Sequence, residues 1–166
     1  MLIVNTDTYI LTTDCSTYLA AHYISTDTKL LAWTALSSDN KDILLRKAAQ
    51  IIDRQPLTGF KALATQTMEF PRAIYTDNGV TGLNNMFYGD EWYIEPSAPD
   101  AVKYAQCEIA IELVGGVSAR EELQRDGVKS FSLGNLSETY SGAQNNIISY
   151  EAKQLLAPYM GGLRIC

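Results

Sequence analysis

The spacing of hydrophobic residues predicts five helices, separated by stretches that have no helical period. They cover residues 13–23, 29–36, 39–54, 99–114 and 150–156. The clearest is 39–54, where apolar residues recur at three- and four-residue spacing between the N-cap candidate Ser38 and the terminating Pro56. Its predicted core-facing residues are Ile43, Leu44, Ala48, Ile51 and Ile52.

The first, second and last helices are short. Thr13 is the expected cap of the first helix, and Asp14 lies in the first turn, where a negative charge suits the helix dipole. The last helix ends before Pro158. The residues of the first two helices that should face the core are Leu19, Ala20, Tyr23, Leu30, Leu31 and Trp33.

The helix over residues 99–114 is apolar around most of its circumference. Pro99 suits its first position, and Gly115 with Gly116 ends it. The apolar residues are Val102, Tyr104, Ala105, Cys107, Ile109, Ala110, Ile111, Leu113 and Val114. The side chains that clearly require solvent are Lys103, Gln106, Glu108 and Glu112. We therefore expect this helix to be central, either in the domain core or between subunits.

Residues 57–97 lose the helical period and are rich in glycine, proline and asparagine, which favour turns. An irregular loop of this length is uncommon in a compact domain and is usually functional or bound to a partner. Its aromatic residues are Phe60, Phe70, Tyr75, Phe87, Tyr88, Trp92 and Tyr93. They suit an interface or a lid over the helices, and the sequence leaves both open.

Residues 127–149 are rich in serine, glycine and asparagine and contain two alternating stretches, 128–133 and 136–140. Gly134 and Asn135 between them suit a hairpin turn. Two strands alone are marginal in water. The predicted fold is therefore a mainly α protein: a small helical bundle over residues 1–126 with a long irregular loop, then an extended C-terminal arm, residues 127–166, containing a short β-hairpin and the terminal helix.

The composition is that of an ordinary globular chain: of 166 residues, 46% are hydrophobic and 19% are charged. No apolar run approaches the roughly 20 residues of a membrane span, and the N-terminus lacks the basic segment of a secretory signal, so we expect a cytosolic protein. The net charge of −6 argues against nucleic acid as the main partner. Lys47 and Arg54 share one helix face, which suits either plain solvation or a phosphate contact.

Enzymatic motifs are absent from the sequence. The single histidine, His22, lies about 10 Å along the predicted helix from Cys15, too far for a nucleophile and its base. Cys15, Cys107 and Cys166 are widely spaced, which indicates reduced thiols rather than disulfides or a zinc site. We therefore predict a non-enzyme without a cofactor or a metal.

Acidic residues near the end of the long loop are the remaining candidate for catalysis or cation binding: Asp90, Glu91, Glu95 and Asp100. Their spacing matches no calcium loop, so a solvated acidic rim is favoured, and a small enzyme is the weakest hypothesis. The ten tyrosines and two tryptophans raise a further possibility, an aromatic platform for single-stranded DNA. The aromatic-rich loop is itself acidic, with Lys61 and Arg72 its only bases.

Several segments follow one another in an order that is typical of one phage family. Residues 12–23 are T-T-D-C-S-T-Y-L-A-A-H-Y, 66–72 are Q-T-M-E-F-P-R, 99–108 are P-D-A-V-K-Y-A-Q-C-E, 128–140 form a Ser/Gly-rich segment ending in Tyr, and 155–159 are L-L-A-P-Y. Together they resemble the head-to-tail connector (adaptor) proteins of tailed bacteriophages, whose patterns include Q-x-L-x-W-P-R and I-P-x-x-V-K-x-A-Q-C-E. Phe70 stands where Trp is usual, and residues 73–96 have no counterpart.

The resemblance implies a structural subunit of the virion neck, assembled in the host cytoplasm. The expected partners are the portal protein, further copies in a homo-oligomeric ring (typically twelve copies) and a tail or tail-completion protein. DNA would pass through the channel without specific binding, and no membrane is involved. The residues assigned to partner binding are Phe131, Leu133, Leu136, Tyr140, Tyr150, Leu155, Leu156, Tyr159, Phe87, Tyr88 and Trp92.

The same family is also named DnaT-like single-stranded-DNA-binding. This name supplies the alternative hypothesis, an accessory protein of phage replication that binds single-stranded DNA. The aromatic-rich loop favours the alternative, whereas the acidic balance of the chain favours the connector.

Overall fold

The computed structural model of the chain describes residues 2–76, 91–115, 130–133, 136–139 and 149–160. In chain order the elements are α1 Thr12–His22, α2 Thr28–Ala35, α3 Ser38–Asp53, β1 Phe60–Lys61, β2 Arg72–Thr76, β3 Glu91–Ile94, α4 Asp100–Val114, β4 Ser130–Leu133, β5 Leu136–Thr139, α5 Tyr150–Leu156 and a 3₁₀ turn Ala157–Tyr159. The predicted mainly α class, with a hairpin and a terminal helix, is confirmed. Among these ranges no helix has the length and apolar character of a membrane span.

Helix α4 lies at the centre of the bundle and contacts each of the other four helices of the described residues. Most of its predicted apolar residues are buried, as expected for a central helix, but Tyr104 is exposed and Leu113 and Val114 are half-buried. The fully buried residues among them are Val102, Ala105, Cys107, Ile109, Ala110 and Ile111. Cys15 of α1 and Cys107 are both buried free thiols, and Cys166 lies outside the described residues.

The core-facing side of α3 differs from part of the prediction. Leu45, Ala48, Ala49 and Ile52 form the buried stripe, at three- and four-residue spacing, and Ile43 is exposed on the opposite side of the helix. In the two preceding helices, Ala20 and Leu31 are likewise exposed although they were expected in the core. When a short helix has apolar residues on two sides, its sequence alone does not determine which side packs on the core.

Four predicted helix starts shift slightly; α2 begins at Thr28, and Pro99 is the N-cap of α4 rather than its first helical residue. Ser37, rather than Ser38, caps α3, because its hydroxyl accepts a hydrogen bond from the N–H of Asn40 at 3.3 Å. The N-cap of α1 is Leu11, two residues before the expected cap Thr13, and no side chain caps this helix. Shifts of this size are usual at helix ends and leave the packing faces unchanged.

Gln106 and Glu108 of α4 were predicted to face solvent, and this prediction is wrong. Gln106 is fully buried, and Glu108 is only 3% exposed. The Gln106 side chain accepts from the N–H of Tyr9 at 2.9 Å, and it donates to Thr8 Oγ1 and to the carbonyl of Leu45, both at 2.8 Å. Burial is tolerated because these groups, far apart in sequence, satisfy the amide.

Three short strands lie within the turn-rich stretch that follows α3, a feature that the sequence does not predict. They form an antiparallel sheet in the order β1–β2–β3. Ala73 at its centre pairs with Phe60 on one side and with Ile94 on the other. Strand β1 has two residues, too few to produce a recognisable alternation.

Arg72 anchors this sheet from within. Its side chain is 5% exposed, and its guanidinium donates to the carbonyls of Thr58 at 2.7 Å and Gly59 at 2.6 Å. It also forms an ion pair with Glu69. The carboxylate of Glu95 accepts a hydrogen bond from the backbone N–H of Arg72 at 3.2 Å. The buried charge of Arg72 is therefore paired and hydrogen-bonded, as a buried cation requires.

The segment before Arg72 is closed by Gln66. Its side-chain amide donates to the carbonyls of Met68 and Pro71, both at 2.9 Å, and accepts from the N–H of Leu63 at 3.0 Å. The Phe70–Pro71 peptide bond is cis, and the Phe70 ring is buried in the core. The Q-x-x-x-F-P-R pattern is thus a set of internal contacts.

Helix α5 packs on α4, and its residues Ala152 and Leu156 are fully buried in the same core as the other helices. The turn that follows is joined to the β1 region, since the N–H of Thr58 donates to the carbonyl of Tyr159 at 2.8 Å. The domain boundary predicted near residue 126 lies outside the described residues. Of the predicted arm, the terminal helix belongs to the helical core.

Replacing Gln106 by leucine tests its structural role. We expect the free energy of unfolding to fall by about 2–4 kcal/mol, because one buried N–H is left unsatisfied and two further hydrogen bonds are lost. Urea denaturation measures the change. Gln154→Leu, at an exposed position of α5, is the matched control and should change stability by less than about 0.5 kcal/mol. Equal losses in the two variants would contradict the assigned role.

Gly59 provides a second test. It has a φ of +76°, and a Cβ atom there would lie 2.1 Å from the carbonyl oxygen of Ala73. Gly59→Ala should therefore destabilise the protein by about 2 kcal/mol or more, which thermal unfolding detects as a lower Tm. Gly115→Ala is the control, because the nearest atom to its Cβ would be 4.0 Å away. If Gly59→Ala had the same Tm as the control, the close approach of Gly59 to the carbonyl oxygen of Ala73 would not be rigid.

Candidate nucleic-acid interface

Three aromatic rings form a continuous stack where α1 meets α4, hereafter the aromatic stack. The rings of Tyr18 and His22 are 4.0 Å apart with an angle of 28°, and those of Tyr18 and Tyr104 are 4.4 Å apart with an angle of 9°. Tyr18 is the middle ring. His22 is exposed and Tyr104 is 36% exposed, so the stack presents aromatic surface at both ends.

The buried carboxylate of Glu108 fixes the orientation of the stack. The Tyr18 hydroxyl donates to Glu108 Oε1 at 3.1 Å, and the Tyr23 hydroxyl donates to Oε2 at 2.6 Å. Burial, followed by the charge and hydrogen bond of Glu108, raises the pKa of both tyrosines, so both remain protonated donors. His22 is held as well, because its Nδ1 lies 2.8 Å from the carbonyl of Tyr18. Tyr18 and His22 are therefore preorganised before any ligand arrives.

The exposed side of α3 carries two cations in line. Lys47, Gln50 and Arg54 follow one another at three- and four-residue spacing and are all exposed. In the part of the chain that the structure describes, neither Lys47 nor Arg54 forms an ion pair. The described cations that do are Lys29 with Glu112, Arg46 with Asp7, Lys61 and Arg72 with Glu69, and Lys103 with Asp100.

A pocket of about 200 Å³ opens beside this side of α3. It is lined by Thr6, Asp7, Arg46, Ala49, Gln50, Asp53, Thr67 and Met68. Asp53 Oδ1 accepts hydrogen bonds from the Tyr9 hydroxyl and from the N–H of Glu69. Burial raises the pKa of Asp53, and burial together with the Asp53 charge raises that of Tyr9. The pocket thus combines a partly desolvated carboxylate with a guanidinium and an amide.

The residues assigned to partner binding in the terminal helix have different surroundings. Tyr150 is 70% exposed, and Leu156 is fully buried in the core of this chain. Leu155 and Tyr159 are partly buried, and the Tyr159 ring packs edge-to-face on Phe70 at 5.4 Å. Only Tyr150 therefore offers most of its side chain to a partner.

The remaining assigned residues lie in strands or outside the described ranges. Phe131 and Leu133 belong to β4, Leu136 belongs to β5, and Trp92 belongs to β3. Leu133 pairs with Leu136, which confirms the predicted hairpin with two intervening residues. The residues outside the described ranges are Phe87, Tyr88 and Tyr140.

The acidic cluster is not a common site in the described residues. Glu95 is buried against the backbone of Arg72, and burial raises its pKa, whereas Asp100 is exposed and paired with Lys103. Asp90 lies outside the described ranges. Among the residues the structure describes, no three His, Cys, Asp or Glu side chains are grouped to hold a metal ion.

The aromatic stack was not identified from the sequence. Tyr18 and His22 are four residues apart on one predicted helix, so their contact was available as an i,i+4 pair. The contact of Tyr18 with Tyr104 joins residues 86 positions apart in the sequence and depends on how α1 packs on α4. The aromatic-rich stretch that the sequence suggests as a platform for bases is residues 57–97.

The comparison with known proteins bears on these surfaces. Over residues 2–165 the chain matches the family described as "Putative DnaT-like ssDNA binding protein". This chain belongs to that family. No curated protein and no solved structure matches it. Of the two family names that the sequence resemblance suggested, the match therefore supports the DnaT-like one.

In this DnaT-like protein, several residues of the resembling segments act inside the fold. Gln66 and Arg72 organise the sheet region, and Gln106 and Glu108 connect α4 to its neighbours. These residues are not available for contact with a ligand, so exposed side chains are the candidates for such contact. The aromatic stack and the exposed side of α3 are the two candidates among the described residues.

Proposed function

We propose that this DnaT-like protein binds single-stranded DNA by stacking bases on the exposed ends of the aromatic stack. The observation that carries the proposal is the exposure of His22 and Tyr104 at the two ends of an ordered stack in a chain of this family. Unpaired bases have accessible ring faces, whereas the bases of a duplex are already stacked on each other. The proposal therefore concerns single strands.

The stack suits bases because it is rigid and planar. Stacking of one base on an aromatic side chain contributes roughly 1–3 kcal/mol and tolerates any base. The hydrogen bonds of Tyr18 to Glu108 and of His22 to the Tyr18 carbonyl hold two of the three rings. Little side-chain entropy remains to be lost when a base stacks on them.

Phosphate contacts contribute little in this proposal. The net charge is −6, and most described cations are paired with carboxylates. Each phosphate neutralised on a single strand changes the slope of log K against log salt by about −0.7. Contacts from Lys47 and Arg54 alone would give a slope of about −1.4. Binding should therefore be weak and only modestly dependent on salt.

Removal of the two outer rings tests the proposal. His22→Ala/Tyr104→Ala should weaken binding of a labelled single strand of about 20 nucleotides by tenfold or more, because two stacking surfaces are lost. Fluorescence anisotropy at about 50 mM salt measures affinity, with a duplex of the same length as a ligand that should not bind. Circular dichroism checks that the variant is folded.

Tyr150→Ala is the matched control, because it removes an exposed tyrosine from α5 and should leave the affinity unchanged. Equal affinities of the wild type and the outer-ring variant would rule out the stack as the DNA site. Absence of any binding by the wild-type protein under these conditions would overturn the proposed function itself.

A second candidate is the virion connector, with the chain as one subunit of a ring below the portal. A closed ring needs two different contact surfaces on each subunit. Large exposed apolar residues occur on separate elements: Ile24 and Leu31 near α2, and Leu63 and Ile94 near the sheet. Their separation supports a head-to-tail contact between copies, and the acidic balance suits a channel through which DNA slides.

Mixing the protein with the portal ring from the same genome tests the connector, with electron microscopy as the measurement. We expect ring-on-ring complexes for the wild type and markedly fewer for Tyr150→Ala, because Tyr150 is the exposed member of the terminal-helix set. The outer-ring variant His22→Ala/Tyr104→Ala is the control and should attach normally. Free portal rings beside monomeric wild-type protein would contradict the connector.

A further inference from the structure

The exposed side of α3 and the pocket beside it share one residue, Gln50. Lys47 precedes Gln50 by one helical turn and Arg54 follows it by one turn, so both cations lie next to the Gln50 edge of the pocket, one toward each end along the helix axis. Their backbone positions are about 10 Å apart along the helix axis, a distance that two long side chains can reduce. A ligand that occupies the pocket beside Gln50 is therefore within reach of two long cationic side chains on the adjacent surface of α3.

We infer that this pocket binds one nucleotide unit, with the base inside the pocket and the phosphate at its mouth between Lys47 and Arg54. The inference rests on the proposed function where the nucleotide is part of single-stranded DNA. A free nucleoside monophosphate presents the same base and phosphate. The pocket would act separately from the aromatic stack, because none of its lining residues belongs to the stack.

The lining of the pocket matches the two kinds of surface on a base. Ala49 and Met68 supply apolar contacts, and a methionine side chain adapts well to a flat ring. The Gln50 amide offers one acceptor and two donors to the polar edge of a base. Asp53 offers its Oδ2, since both hydrogen bonds recorded for its carboxylate within the described residues are made to Oδ1.

The charges orient the ligand with the phosphate outward. Inside the pocket, Arg46 is paired with Asp7 at 3.0 Å, and Asp53 repels a second negative charge. At the mouth, Lys47 and Arg54 have no carboxylate paired with them in the described ranges. A neutral base is therefore favoured inside the pocket and a phosphate outside it.

Asp53 also gives the pocket a base preference. A carboxylate accepts hydrogen bonds from the amino groups of guanine, adenine and cytosine. Thymine lacks an amino group, and the carbonyl groups beside its single N–H would face the carboxylate oxygens unfavourably. We therefore expect nucleotides with an amino-bearing base to bind more tightly than thymidine monophosphate.

Titration with dGMP, dCMP, dTMP and inorganic phosphate tests the inference, with amide chemical shifts or calorimetry as the readout. Lys47→Ala/Arg54→Ala should weaken dGMP binding by about tenfold or more, since two charge-assisted contacts are lost. Gln50→Ala should weaken it by about threefold or more through the base edge. Binding of dTMP should be weaker than that of dGMP.

The control variants remove the same amount of positive charge, or the same kind of side-chain amide, at other positions. Lys29→Ala/Lys103→Ala changes the net charge equally, and Gln154→Ala removes an exposed amide from α5, so both should bind dGMP as the wild type does. If the control variants weakened dGMP binding as much, the effect would not be specific to this pocket, and the proposed nucleotide site would be wrong. Phosphate binding as tightly as dGMP would also overturn it, because the base would then contribute nothing.

Single-stranded DNA in the same titrations separates this inference from the proposed function. If DNA binds through His22 and Tyr104 while no nucleotide binds, the pocket is refuted and the proposed function stands. If dGMP binds through Lys47, Gln50 and Arg54 while no single strand binds, the proposed function is refuted and the pocket is a free-nucleotide site. A mixed-sequence strand that competes with dGMP and binds more tightly supports a nucleotide within DNA.

Discussion

The side-chain amide of Gln106 joins three parts of the chain that are far apart in sequence. It holds the N-terminal segment through Thr8 and Tyr9 and holds α3 through the carbonyl of Leu45. Tyr9, fixed in this way, donates its hydroxyl to Asp53 and accepts the N–H of Phe70. The Phe70 ring contacts Tyr159 beyond α5. The arrangement is specific because a buried amide tolerates only positions in which its donors and acceptor are satisfied.

The same packing creates both candidate surfaces. Glu108, one helical position from Cys107 and two from Gln106, holds Tyr18 and Tyr23 of the α1 region, and this brings Tyr18 onto Tyr104. The contact of α3 with α4 leaves the opposite side of α3 in solvent with Lys47, Gln50 and Arg54. Segments that resemble a protein family are commonly assigned to its ligand. Here the polar residues of those segments mostly satisfy one another, because an unsatisfied buried polar group is costly.

An acidic chain in a family named for DNA binding needs a source of affinity other than net charge. Long-range electrostatics oppose approach to a polyanion when the net charge is −6. Base stacking and the two cations at the mouth of the pocket beside α3 act at short range. Salt screens the long-range repulsion and changes the energy of these short-range contacts much less. In the proposed function, the protein would therefore select unpaired bases rather than phosphate density. In the connector hypothesis, the same acidic surface would be an advantage, because it would line a channel to which DNA does not adhere.

Helix positions, the hairpin and the mainly α class followed from the sequence, because the period of apolar residues, the prolines and the turn residues act locally. The terminal helix was predicted over the same residues that the structure assigns, 150–156. The burial of Gln106 and Glu108, the exposure of Leu31 and Ile43, and the β1–β2–β3 sheet depended on tertiary contacts. The sequence does not show whether a polar side chain is hydrogen-bonded to water or, as for Gln106, to the N–H of the distant residue Tyr9. For that reason the aromatic stack and the pocket beside α3, which consist of residues from separate segments, depended on how the helices pack together, whereas the shared face of Lys47 and Arg54 followed from the sequence.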